Sequence, residues 1–220
     1  MQAINDYLHQ YELADLFPDS VIDLMQIERH TAGDRLFSQG DQADMLYFLV
    51  EGKLKISMLS PEGKRLILAF KTPFDIVGDI EYVQKCPFIN TVEAVTDLVL
   101  LRIPHHALDH EMSGNSLFQQ FLLETITRKF VTKAQELNFN LLYAVDVRVA
   151  SYLLSMTPDK PRLDSPSLVD MADLIGTSYR HLNRVLQKFE QAGWIQRTNG
   201  KIDLLDRDAL LSQAGHNIYE

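Results

Sequence analysis

The chain has 220 residues, 46% of them hydrophobic, with 21 basic and 30 acidic side chains and a formal charge of −9. That length supports two domains with separate cores and no covalent staples. Cys86 is the single cysteine, which excludes a disulfide framework and any cysteine-ligated zinc or iron–sulfur site within one chain.

In chain order, a helical opening runs from around Ile4 to Met25, broken near Phe17-Pro18. Strand-like segments then recur at Arg35 to Phe37, Met45 to Val50, Lys53 to Leu59, Arg65 to Phe70, Thr91 to Val95 and Val99 to Ile103. Gly33, Gly40, Gly52, Gly63 and Gly78 fall between or beside them, where turns need positive φ or close backbone approach. Many short strands with that punctuation predict an antiparallel, jelly-roll-like β-roll. After Pro104 a short helix is expected around His105, His106 and His110.

From Ser116 to about Tyr143 the pattern predicts one long helix carrying Phe118, Leu122, Ile126, Phe130, Ala134, Leu137 and Leu141. Phe121, Leu123 and Leu142 widen that stripe enough to serve both the roll and a partner helix, so a homodimer clasped along this helix is expected. Tyr143 to Asp146 reads as a hinge, with the next helix beginning at Asp146 and running from Val147 to Met156.

The most informative stretch follows. Ser167-Leu168-Val169-Asp170 has the form of a capping box at the start of a helix that runs to about Ile175. Gly176 is suited to the left-handed stop, and Ser178 to capping the next helix. In that next helix Leu182, Val185, Leu186 and Phe189 make a buried stripe, while Tyr179, Arg180, Asn183, Arg184 and Gln187 face away. Two strand-like runs then flank Asn199-Gly200, a strong hairpin signal. Helix, turn, helix and hairpin together predict a winged helix-turn-helix that reads double-stranded DNA.

The expected DNA-contacting set is Ser178, Tyr179, Arg180, His181, Asn183, Arg184, Lys188, Arg197 and Lys201. Arg184 and Arg180 are assigned to bases, because a bidentate arginine–guanine contact is worth roughly 1–3 kcal/mol of discrimination. Lys188, Arg197 and Lys201 are assigned to phosphates. The acidic surplus sits elsewhere: residues 1–145 carry 12 basic and 20 acidic side chains, whereas Ser165 to Leu205 carry five basic against four acidic. The expected fold class is therefore α+β, divided into a sensor roll at 1–112, a dimerisation helix at 113–145 and a DNA-binding domain at 146–220. No basic-then-apolar leader and no uninterrupted apolar run of about 18 residues is present, so a cytoplasmic protein without membrane contact is expected.

Four segments of the first half are similar to the cyclic-nucleotide-binding domain of the CRP/FNR regulators: Gly33-Asp34-Arg35-Leu36-Phe37-Ser38-Gln39-Gly40, Leu46 to Ile56, Glu62 to Leu68, and Val77-Gly78-Asp79-Ile80. With the winged helix the resemblance covers nearly the whole chain. Ser178-Tyr179-Arg180-His181-Leu182 and Gly78-Asp79-Ile80-Glu81 look most like the YeiL-type branch. The resemblance implies a symmetric dimer on an inverted-repeat promoter site, contact with RNA polymerase, and an effector held in the roll. The effector pocket it implies involves Gly78, Asp79, Ile80, Phe88, Ile89 and Lys133.

At that pocket the chain departs from the family. Gly78-Asp79 keeps the ribose-binding feature in shortened form. The Arg-Ser pair that holds the cyclic phosphate in cyclic-AMP receptors is replaced by Phe88-Ile89, and the Thr-Ser pair that holds the base by Lys133-Ala134. A buried phosphate without a compensating cation costs several kcal/mol. Lys85 and Arg65 are the substitutes open to the chain. Cyclic AMP is accordingly not expected to be the effector, whose identity stays open, including that there is none. No cofactor is expected.

Catalysis has no anchor. Neither a Gly-rich phosphate loop nor a serine nucleophile elbow is present, and the histidines His9, His30, His105, His106, His110, His181 and His216 lack the spacing of a cupin metal site. The chain is not expected to be an enzyme. A winged helix that binds protein instead of DNA is the remaining alternative, separable by salt dependence.

Overall fold

The computed structural model describes residues 2–61, 63, 65–157, 161–164 and 167–215. His216, Glu62 and Lys64, which figure in the sequence reading, lie outside them. The chain divides into two compact units, and the division falls between Arg128 and Lys129.

The first unit opens with α1 (Gln2–Gln10) and α2 (Asp19–Ile22), broken where Pro18 precedes α2. Strands β1 (Gln26–His30), β2 (Arg35–Phe37), β3 (Met45–Glu51), β4 (Leu54–Leu59), β5 (Arg65–Lys71) and β6 (Asp75–Val77) follow. Helix α3 (Asp79–Gln84) then leads to β7 (Thr91–Ala94) and β8 (Leu98–Pro104). They pair antiparallel into two four-stranded sheets, ordered β1-β8-β3-β6 and β2-β7-β4-β5. The expected roll is present.

Strand β8 shows how two cores arise from one alternation. Leu98 and Leu100 point into the core between the sheets, with Phe37, Leu49, Leu54, Val77, Phe88, Val92 and Ala94. Val99, Leu101 and Ile103 point the other way, into a core closed by helices through Ile4, Leu8, Val21 and Leu108. A strand apolar on both faces reads as a continuous hydrophobic run because both faces are covered. β1, β6 and α3 were not read from the sequence; β1 takes its register from β8, Ile27 opposite Leu101.

Helix α4 (His105–Glu111) follows, and then α5 (Ser116–Leu142), within which the division between the units falls. Helix α5 departs from its expected pattern at two positions. Phe118 and Leu122, placed on the partner-facing stripe, are buried in the roll's own helical core. Phe118 lies 5.9 Å from the Phe17 ring and 6.1 Å from that of Tyr82, so its apolar surface is already covered. Ile126 is half-buried. Leu123, Phe130, Leu137 and Leu141 remain exposed.

In the second unit α6 (Val145–Ser155) starts one residue before the expected Asp146. Its N-cap is Ala144, without a side-chain cap, and the Asp146 carboxylate instead accepts the Val147 N–H at 3.1 Å within the first turn. Then come β9 (Arg162–Leu163), α7 (Leu168–Ile175), α8 (Tyr179–Gln191), β10 (Ile195–Thr198), β11 (Lys201–Leu204) and α9 (Arg207–Ala214). The three strands form a small antiparallel sheet, β10-β11-β9. β9 escaped the sequence reading because two residues carry no period.

Gly52 marks a tight point of the roll. Its φ is +86°, and a Cβ there would stand 2.2 Å from the Asp97 carbonyl oxygen. Gly52→Ala is therefore expected to destabilise the roll by at least about 2 kcal/mol, combining left-handed strain with overpacking. A lowered urea midpoint with unchanged slope would register it.

Candidate nucleic-acid interface

Local chemistry places α7 and α8. Ser167 Oγ accepts the Asp170 N–H at 3.2 Å, and Ser178 Oγ accepts the His181 N–H at 3.2 Å, each satisfying an otherwise unpaired amide in the first turn. Gly176 ends α7 in the left-handed region at φ 70°. The turn between them is held from below: Arg148, buried in α6, donates through Nη1 to the carbonyls of Ile175 and Gly176 and to Asn140 Oδ1. Sequence reasoning missed Arg148, which sits among apolar residues of a helix with nothing local to mark it.

Helix α8 buries Leu182, Val185, Leu186 and Phe189 in the core of the unit, with Leu153, Met171 and Ile175. That stripe rotates the opposite face outward. Ser178, Tyr179, Arg180, His181, Arg184 and Lys188 are exposed, and Asn183 is half-buried. The wing turns at Asn199 and Gly200, φ 51° and 75°, directly between paired Thr198 and Lys201. Positive φ at both central residues is the two-residue hairpin geometry that Asn-Gly favours.

The cations divide sharply by partner. Arg197, expected on a phosphate, is instead held by Glu190 of α8: one carboxylate oxygen accepts the Arg197 backbone N–H at 3.0 Å, the other accepts Nε at 3.1 Å and Nη2 at 3.0 Å. Arg197 Nη1 also reaches Asn183 Oδ1 at 3.3 Å, while Asn183 Nδ2 donates to the Tyr179 carbonyl at 3.2 Å. Both side chains brace the wing against the helix. Lys188 lies 3.2 Å from Asp146 and Lys201 3.2 Å from Asp164, surface pairs worth about 1 kcal/mol or less and thus easily exchanged for a phosphate. Arg180 and Arg184 have no ion pair or hydrogen bond among the described residues.

The expected effector residues of the roll do not outline an anion site. Gly78 caps α3 in the left-handed conformation, and Asp79 and Glu81 behind it are both buried. Glu81 Oε1 accepts the Ile89 N–H at 3.1 Å, so the backbone donor of that loop is already used by a carboxylate. The Phe88 ring turns into the core and stacks on Phe37, centroids 3.7 Å apart and 12° from parallel, with Tyr47 5.5 Å from Phe37. Burial pushes the Tyr47 hydroxyl up to about 12. Ile80 is half-buried and Ile89 exposed.

Both substitute cations have carboxylate partners. Lys85 binds both oxygens of Asp109, at 2.7 and 2.9 Å, and lies 4.3 Å from the Tyr82 ring centre. Arg65 stands 3.9 Å from Glu93. Lys133, in the second unit, pairs with Glu136 at 2.5 Å. Glu81, Phe37 and Tyr47 were not assigned to the pocket by sequence reasoning, although all three fall in the segments that carry the family resemblance.

A β-roll and a winged helix-turn-helix in one chain define a DNA-binding transcriptional regulator of two-domain build. Residues 27–115 match the cyclic nucleotide-binding domain family and residues 147–212 the Crp-like helix-turn-helix domain family. The chain belongs to the CRP/FNR family of transcriptional regulators. It is 23% identical over 190 residues to the CRP-like cAMP-activated global transcriptional regulator of Mycobacterium tuberculosis, covering 83% of this chain and 85% of that one. It is 26% identical over 163 residues to the regulatory protein YeiL of Escherichia coli O157:H7, covering 74% and 73%. Its fold is that of a CRP-family transcriptional regulator from Thermus thermophilus, with a TM-score of 0.73, 23% identity and coverage of 87% and 98%. Among the described residues no helix is long and apolar enough to cross a membrane.

The Glu190 clamp carries a pH dependence. Its carboxyl lies below the ordinary value of 4.5, first because the Arg197 N–H and then because its guanidinium favours the ionised form. A depressed acid contributes stability that is present above its unfolded value and lost as pH falls through the folded one. Acidification below pH 4.5 should therefore loosen the wing. Trp194, the single tryptophan, lies 5.1 Å from the Phe189 ring and reports it by fluorescence. Glu190→Gln should flatten that acid limb and lower stability at neutral pH.

Proposed function

We propose that the protein acts as a homodimer on an inverted-repeat promoter site in the cytoplasm, with α8 of each protomer in the major groove and RNA polymerase as its partner. The observation that carries this reading is the outward face of α8, where a buried stripe behind the helix leaves Arg184 and Arg180 exposed and without partners among the described residues. Ser178, Tyr179 and His181 lie beside them at the helix start and contribute backbone contacts, and Lys188 and Lys201 exchange their surface carboxylates for phosphates.

Dimerisation rests on α5. Leu123, Phe130 and Leu137 fall seven residues apart and are exposed by 67%, 71% and 59%, a spacing that lines one edge of a helix for a second helix. Recognition helices held about 34 Å apart would then meet successive grooves on one side of the duplex. The working division is a sensor at 1–112, a dimer helix at 113–145 and a DNA-binding domain at 146–220, with a two-state change of domain orientation as the switch.

Cyclic AMP, named as activator of the mycobacterial relative, is not the effector of this chain. A phosphate placed against the 86–90 loop would meet the Glu81 carboxylate and the Phe37–Phe88 stack in place of a cation. The apolar interior suits an uncharged ligand, or activity without one.

Two measurements test the reading. Arg184→Ala should weaken binding to the specific site by roughly 1–3 kcal/mol and leave affinity for random DNA nearly unchanged; equal losses on both would reassign Arg184 to the phosphate backbone. Phe130→Asp should convert the dimer to monomers in sedimentation at micromolar concentration, since about 1.5–3 kcal/mol per buried Phe side chain is withdrawn on each side.

A further inference from the structure

We infer that the roll carries a proton-operated latch, in which His105 holds α3 against α4 as a neutral ring and releases it when protonated. The latch lies wholly within the first unit and stands apart from the DNA-binding reading. It supplies a signal, mild acidification, that needs no bound ligand.

The first support is the state of the ring. His105 begins α4 and is 9% exposed. Its backbone N–H donates to the Asp44 carbonyl at 2.8 Å, and its side chain bonds the carbonyl of Met45, the first residue of β3. Nε2 is buried and has no hydrogen-bond partner among the described residues, which assigns the bond to Nδ1 and the free lone pair to Nε2. Proton uptake would turn that nitrogen into a charged donor with nothing to receive it, and burial makes such a group costly.

The second is what surrounds it. Tyr82 of α3 meets the imidazole edge-on, ring centres 5.0 Å apart and planes at 62°. The Tyr82 hydroxyl and Lys85 Nζ both bond the carboxylate of Asp109, one turn further along α4. Helix α3 therefore docks on α4 through these four side chains. The charged groups that face the imidazole are Lys85, which opposes its protonation, and Asp109 and Asp44, which favour it; Tyr82, pushed up to about 12 by burial, stays a neutral hydroxyl. Asp109 is already committed to Lys85 and Tyr82. Burial outweighs both carboxylates, so the ring lies below the ordinary 6.5, first through desolvation and then through Lys85.

The third is what the latch holds. A Cβ on Gly78, the N-cap of α3, would stand 2.7 Å from the Met45 carbonyl oxygen, the acceptor that His105 uses. Glu81, in the middle of α3, accepts the Ile89 N–H, so displacement of the helix reaches the 86–90 loop. A base kept neutral by burial contributes stability that is whole above its unfolded value of 6.5 and is lost as pH falls through 6.5 towards the folded one, because the open form takes the proton first. Acid therefore favours release.

Amide hydrogen exchange on the full-length protein at about pH 7.5 and about pH 5.5, corrected for intrinsic rates, tests this. Protonation of an opened His105 at its ordinary 6.5 should cost the amides of α3 and the 86–90 loop up to about tenfold in protection, while those of β8 keep theirs. His105→Gln retains a donor for the Met45 carbonyl and removes the titration, so protection should no longer change with pH. His30 and His110, beside Glu28 and Glu111, persist in the variant as internal controls, and Glu190 responds only below pH 4.5 and in the other unit. By NMR the wild-type His105 ring should titrate below 6.5. A ring that titrates at or above 6.5, or an equal acid response in His105→Gln, overturns the latch. Should His105→Gln fail to fold, wild type decides by itself: unchanged protection of α3 across the two pH values overturns the inference.

Discussion

The burial of one apolar stripe on α8 is the constraint on which the DNA-facing half depends. Leu182, Val185, Leu186 and Phe189 are all essentially inaccessible, and a helix anchored at four such points cannot rotate about its axis without exposing several of them. Its rotational phase is therefore set by the hydrophobic effect, and the polar face follows as a consequence. Capping by Ser178 and the Arg148 bonds to the preceding turn then set where along its axis the helix begins. The Glu190–Arg197 clamp ties the wing to the same helix, so helix and hairpin move as one body.

The roll has the family architecture, and aromatic side chains fill its interior. Two sheets and an αL-capped helix α3 reproduce the family framework, yet the space between the sheets is taken by Phe37, Phe88 and Tyr47 and its loop amide by Glu81. Aromatic stacking of this kind adds packing stability beyond area burial and leaves no cation to compensate a phosphate. Fold and ligand are separable here because the sheets are held by backbone pairing and alternate burial, neither of which depends on the residues that touch a ligand.

Charge on the DNA-facing surface follows a similar division. A chain of formal charge −9 approaches a polyanion, and three of the cations on α8 and the wing are partly neutralised by Asp146, Asp164 and Glu190. Unspecific attraction to phosphate is weakened by this, whereas Arg180 and Arg184 keep their full hydrogen-bonding capacity. Under the proposed reading, discrimination between sequences rests on base contacts more than on overall affinity.

The amino-acid sequence by itself determined the class of fold, the helix-turn-helix with its caps at Ser167 and Ser178, the wing turn at Asn199-Gly200, and the long α5, because each follows from periodicity or turn chemistry within a few consecutive residues. Tertiary structure alone decided which members of a stripe are buried within the protomer and which cations already have partners. Phe118 and Leu122 look like Phe130 in one dimension, and only burial in the helical core of the roll, where Phe118 meets Phe17 and Tyr82, separates them. Arg197 looks like Arg184 until Glu190 is folded beside it. Likewise Glu81 meets the Ile89 amide, and Phe88 meets Phe37, across distances in sequence that no local pattern spans. Partnership between side chains is a property of the packed chain, and it is what turns a list of candidate residues into a surface with particular chemistry.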